Sequence, residues 1–164
     1  MKIFTSLLIT LLLAVSQAAA AAETKPGDNA ALRGVEKGKV VFDINMGVPA
    51  KLNVYLGVIR ETISDLRRQD VEPDVILAFR GPSVKLISED REQLELTDYE
   101  QLDHIAERLT DLQQAGARME ACSVAMRLTN IDPATLLDGI EPVGNTFVSL
   151  TGYHAQGYAS IPIQ

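Results

Sequence analysis

The sequence predicts an α/β fold built on a mostly parallel sheet. Short β-branched apolar runs alternate with stretches whose apolar residues recur every three or four positions. Glycine, proline, asparagine or aspartate closes each run. Strand, helix, strand, helix in that order implies right-handed βαβ units, hence parallel pairing.

The first strand is Lys39–Ile44, and Asn45-Met46-Gly47-Val48 breaks it before Pro49, a residue suited to a first helical turn. Leu52, Tyr55, Leu56, Ile59, Ile63 and Leu66 then mark one inward stripe of a helix that ends between Asp70 and Pro73. Asp74–Arg80 is the second strand, stopped by Gly81-Pro82, with a short helical turn over Ser83–Ile87. Residues 88–97 are charged and expected at the surface. Leu102, Ile105, Leu109 and Leu112 mark a second helix closed by Gly116. Ala117–Ala121 is the third strand, and a short helix runs from Cys122 to about Leu128. Asp132 suits an N-cap before Pro133. Ile140–Val143 reads as a brief strand. Asn145–Gln156 reads as a helix with Phe147, Val148 and Leu150 inward. Tyr158–Ile163 reads as a closing strand at an edge, because Pro162 cannot donate to a ladder.

Residues 1–22 have the pattern of a secretory signal. Lys2 precedes an apolar core over Ile3–Val15, and Ser16-Gln17-Ala18 and the alanines up to Ala22 offer small-residue cleavage sites. The expectation is export to a periplasm and release by cleavage, with no membrane attachment afterwards. Residues 23–38 are polar and glycine-rich, a flexible lead-in or edge segment. The domain is expected over 39–164. A net charge of −7, one unit more negative once Lys2 is removed, argues against nucleic acid and anionic membrane as partners.

Cys122 is the sole cysteine, placed where a strand runs into a helix. Unpaired N–H groups and the helix dipole at such a junction favour the thiolate, the nucleophilic form of sulfur. A lone thiol in an oxidising compartment forms no internal disulfide, so its covalent chemistry involves a second molecule. The competing reading is a small buried hydrophobe. In a parallel sheet the ligand site lies beyond the carboxyl ends of the strands. Three loops fall there: Asn45-Met46-Gly47, Arg80-Gly81-Pro82-Ser83 and Cys122-Ser123. Arg80 and Arg127 are the cations available to a thiolate, and Gly81 leaves room for close approach. Asp43 and Asn45 either line this rim or cap the turn after the strand.

In these loops the chain resembles the DsrE/DsrF-like proteins of sulfur relay and sulfur oxidation. The matching stretches are Val40–Ile44, Asp74–Leu86, Gly116–Met126, Leu136–Val143 and Gln156–Ala159, spanning about 39–162. The resemblance implies a three-layer α/β/α domain with about five parallel strands, assembled as trimers or hexamers. It implies that Cys122 carries sulfur as a persulfide between a donor and an acceptor, with Gly81 and Pro82 lining the pocket. The pocket candidates are therefore Asn45, Arg80, Gly81, Pro82, Ser123 and Arg127. Familiar relay members are cytoplasmic, whereas this chain carries an export pattern.

Other constellations are weaker. His104 and His154 are far apart and read as surface residues, so no metal spacing exists and no metal or cofactor is expected. Gly34–Lys39 precedes a strand, the wrong order for a phosphate loop, and no dinucleotide fingerprint follows any strand. Met46, Met119 and Met126 read as core or pocket fillers. Two functions follow: a periplasmic persulfide carrier or sulfurtransferase, or a non-catalytic binding or assembly module with an inert thiol.

Overall fold

A computed structural model describes residues 25–164; the expected export signal at 1–22 lies outside the described residues. Five strands form one all-parallel sheet: β1 Lys37–Ile44, β2 Glu72–Phe79, β3 Arg118–Cys122, β4 Ile140–Val143 and β5 Ala159–Ile163. Their spatial order is β4-β3-β2-β1-β5. Four α-helices connect them: α1 Pro49–Arg68, α2 Tyr99–Gln114, α3 Ser123–Thr129 and α4 Thr146–Ala155. A 3-10 helix over Gly81–Ile87 includes the predicted turn.

The order explains the layers. From β1 through β4 the chain steps across the sheet in one direction, so right-handed crossovers put α1, α2 and α3 on one face. The last crossover returns from β4 past three strands to the far side of β1. Its direction is reversed, so the same handedness puts α4 on the opposite face. The front core under α1, α2 and α3 takes Phe42, Ile44, Leu77, Phe79, Met119 and Ala121 from the strands. The back core under α4 is a small cluster of Val41, Ile76, Ala78, Leu150 and Tyr158. Both edge strands contain proline, Pro142 in β4 and Pro162 in β5, which leaves no donor there for a further strand.

Three expectations are corrected. Phe147 and Val148 point outward, 63% and 68% exposed. The face of α4 on the sheet is set by Thr146, Leu150 and Tyr153, at intervals of four and three; residues one and two beyond Thr146 are turned 100° and 200° away around a helix. Tyr55 is likewise exposed, one position short of Leu56 on the buried stripe of α1. The strands β1 and β2 begin two residues earlier than expected, at Lys37 and Glu72, which pair in register. The lead-in segment lies along α1: Lys25 pairs with Glu61 and Asp65, and Arg68 donates to the Pro26 carbonyl.

Candidate functional site

The site follows from where neighbouring strands part company. β3 leads into α3 on the front face, whereas β4, beside it, leads into α4 on the back. Such a divergence leaves a crevice at the carboxyl ends of the two strands. Cys122 ends β3 and Asn145-Thr146 follows β4, so the crevice falls between them. A cavity of about 510 Å³ occupies it, and Cys122, Val124, Ala125, Thr146, Phe147 and Arg80 are among its walls.

The sequence folds locally to hold this geometry. Cys122 is the N-cap residue of α3, in extended backbone. Asn145 caps α4 by accepting from the Phe147 N–H at 2.9 Å, which fixes Thr146 as the first helical residue. On the opposite wall, Arg80 is anchored by two hydrogen bonds to Asp43, at 2.5 and 2.9 Å, and its guanidinium lies 5.4 Å from the centre of the Phe147 ring. Gly81 has a positive φ of 55°, and a Cβ there would lie 2.1 Å from Asn45 Oδ1. Glycine is required on both grounds. The Ser83 hydroxyl is buried and bonds the carbonyls of Ile44 and Arg80, tying the loops after β1 and β2 together.

Burial pushes the Cys122 thiol up. Against it stand the N–H and hydroxyl of Thr146 and the N–H groups of Ala125 and Val124, which together favour the thiolate. They prevail, and the thiol sits below its ordinary value. Thr146 Oγ1 is fully buried and makes no hydrogen bond of full geometry. Its pull on the sulfur is that of a hydroxyl dipole close by, short of a formed bond. The Arg80 guanidinium is held above its usual value, first by the hydrogen bond to Asp43, with burial opposing and the Cys122 charge adding a smaller share.

Of the predicted site residues, Cys122, Arg80, Gly81 and Pro82 converge on the cavity. Asn45, Ser123 and Arg127 are outside its lining. Asn45 instead fills the space beside Gly81, and Arg127 is exposed on α3. Sequence reasoning passed over Thr146, Phe147 and Lys85. The signal for the first two was available, since the loop after β4 also emerges at the carboxyl edge. His104 and His154 are exposed and away from the cavity. Among the described residues no group of three His, Cys, Asp or Glu side chains is gathered to hold a metal.

A parallel α/β domain with a thiol at the end of its third strand, facing the first turn of a back-face helix, is the class that fold and site define. The chain belongs to the DsrE/DsrF-like family, whose sequence profile matches residues 39–162. No curated protein matches it. It is similar to a solved structure of a protein of unknown function, MTH1491, from Methanobacterium thermoautotrophicum: 20% identity, TM-score 0.62, over 76% of this chain and 98% of that one. It is also similar to the ychN protein from E. coli, at 18% identity and TM-score 0.51, over 76% and 97%. At these identities the likeness shows the fold.

Proposed function

We propose that this protein is an exported sulfur carrier, or a sulfurtransferase-like protein, that holds sulfane sulfur as a persulfide on Cys122. The observation that carries the reading is a thiol biased toward thiolate in the wall of a largely apolar cavity, beside a buried hydroxyl that makes no hydrogen bond of full geometry. Membership of a family associated with sulfur relay is consistent with it.

The chemistry balances without an added redox agent. The Cys122 thiolate attacks the outer sulfur of a donor persulfide or polysulfide. The donor's S–S bond breaks as a new one forms on Cys122, and the donor leaves as a thiolate, or, from a polysulfide, as the anion one sulfur shorter. The reverse exchange delivers the sulfur to an acceptor. Lys85 and Arg80 place positive charge at the cavity for an anionic donor, and the apolar walls keep a bound persulfide from bulk water. Assembly as a homo-oligomer belongs to the same reading. It is supported by apolar side chains left outward on α1, where Val54 and Val58 are 66% and 49% exposed, four residues apart on one helix face.

The test is to incubate the protein with polysulfide and weigh it intact. One added sulfur per chain, released by dithiothreitol and missing in Cys122→Ser, is expected. A Cys122 that takes no sulfur and alkylates only after denaturation would overturn the reading in favour of an assembly module.

A further inference from the structure

A second cavity, of about 320 Å³, lies against the middle of β3 and shares no lining residue with the Cys122 cavity. Its floor is Glu120, which is only 6% exposed. One carboxylate oxygen, Oε2, accepts from the Tyr153 hydroxyl at 3.1 Å. The other, Oε1, is buried and makes no hydrogen bond of full geometry among the described residues, the Ser149 hydroxyl near the carboxylate included. A buried carboxylate oxygen left without a donor is costly, and native structures keep few of them.

The surroundings define what would satisfy it. Glu141 stands in register with Glu120 on the neighbouring strand, so both carboxylates rise from the same face of the sheet. The nearest cation in the lining is Arg118, but its guanidinium is engaged by Asp74 at 2.8 Å and by the Tyr158 hydroxyl at 2.9 Å. Two acidic groups therefore face the cavity against one cation already bonded elsewhere. The remaining walls are largely uncharged, with Ile76, Ala117 and the Gln113 amide among them. A metal ion has too few ligands here. A volume of this size holds on the order of ten non-hydrogen atoms at liquid density.

We propose that this cavity is a binding site for a small organic ammonium. The ammonium would donate to Glu120 Oε1 and lie near Glu141, with its hydrocarbon part against Ile76 and Ala117. Tyr153 positions the carboxylate by holding Oε2, which leaves a single oxygen presented to the ligand.

The probe is n-butylammonium, titrated against the full protein by calorimetry and by the fluorescence of its tyrosines, which no tryptophan obscures. Saturable one-site binding is expected, with tetramethylammonium, which has the charge but no N–H, binding on the order of tenfold weaker or worse. Glu120→Gln should weaken n-butylammonium by a similar factor. Glu141→Gln, at an exposed position where folding is not at stake, should weaken it severalfold, and Cys122→Ser should leave it unchanged. Equal affinity for tetramethylammonium, no saturable binding, or full affinity in the folded Glu141→Gln and Glu120→Gln variants would overturn the proposal.

Discussion

The two faces of the sheet are built on different principles. The front face presents an aliphatic and aromatic layer to three helices, and its strand residues, Phe42, Leu77, Phe79 and Met119, are continuous with the buried stripes of α1 and α2. The back face alternates apolar residues with ionisable ones. Asp43 pairs with Arg80, Asp74 with Arg118 and Tyr158, and Glu120 with Tyr153. One helix of ten residues covers it. Burying an acid costs free energy unless bonds compensate, so the back face gives up dry packing to hold charged groups in fixed places. The contrast teaches that the front core provides most of the stability and the back face positions chemistry. Arg80 in the thiol cavity and Glu120 in the second cavity both belong to back-face pairs.

The largest expected effect tests that division with one substitution on each face. Ile105→Ala removes a fully buried side chain of α2 from the front core and should cost about 4 kcal/mol. Ile76→Ala makes the same change on the back face, where Ile76 borders an existing cavity and neighbours can relax or hydrate. Its cost should be about 2 kcal/mol, the low end for such truncations. Urea unfolding followed by circular dichroism measures both. Equal costs would mean that the back cluster packs as tightly as the front and that the division fails.

The next effect is smaller and sharpens the comparison through pH. Burial, with Glu141 adding, raises the Glu120 carboxyl above its ordinary value, although Ser149, Tyr153 and Arg118 oppose the shift. A group whose folded value is raised binds more protons when folded, so its contribution to stability falls as pH rises from the unfolded value through the folded one. Asp74 has the opposite sign. Burial resists, but bonds from Tyr158 and Arg118 prevail and hold its carboxyl below the usual range, so its contribution is lost as pH falls. Glu120→Gln should therefore flatten the part of the stability profile that declines from mildly acidic pH upward, and leave the acid limb carried by Asp74 intact. A profile unchanged on the upper side would show that the Glu120 carboxyl ionises as freely in the fold as in the unfolded chain. The strand residues Phe42, Leu77, Phe79 and Met119 of the front core do not ionise and should contribute no such slope.

The same contrast governs what could be read from sequence. The front face was legible because helix and strand periodicities both point to it: Leu52, Leu56, Ile59 and Ile63 on α1 and the β-branched runs of β1 and β2 are unambiguous. The five strands and their parallel order followed, and so did the placing of Cys122, Gly81 and Pro82 on one rim. The back face was less legible because its helix is short and its apolar and polar residues form no clear stripe. In Thr146–Ala155 more than one inward stripe can be read, and Phe147 and Val148, apolar and adjacent, are a natural but incorrect choice. The choice of α4 register conceals Thr146 as well, since a helix rotated to bury Phe147 would carry Thr146 away from the sulfur. Pairing across strands, such as Glu120 with Glu141, depends on register that short β4 does not encode by itself.

The smallest effect on stability is expected at that junction, and it is the most informative about the thiol. Thr146 Oγ1 is buried without a hydrogen-bond partner, so Thr146→Val removes an unsatisfied polar atom and replaces it with a methyl of similar size. Stability should hold or rise, by up to about 1 kcal/mol. The thiol should respond in the other direction. The hydroxyl is one of the groups that outweigh burial and hold Cys122 low, and the N–H groups of Thr146, Ala125 and Val124 are unaffected by the substitution. The midpoint of alkylation rate against pH should therefore move up. A more stable protein with a less reactive thiol separates the two demands on this residue: packing would favour valine, and only an anion at the sulfur favours threonine. An unchanged midpoint would assign the thiolate bias to the backbone alone and leave the buried hydroxyl without a role in the site.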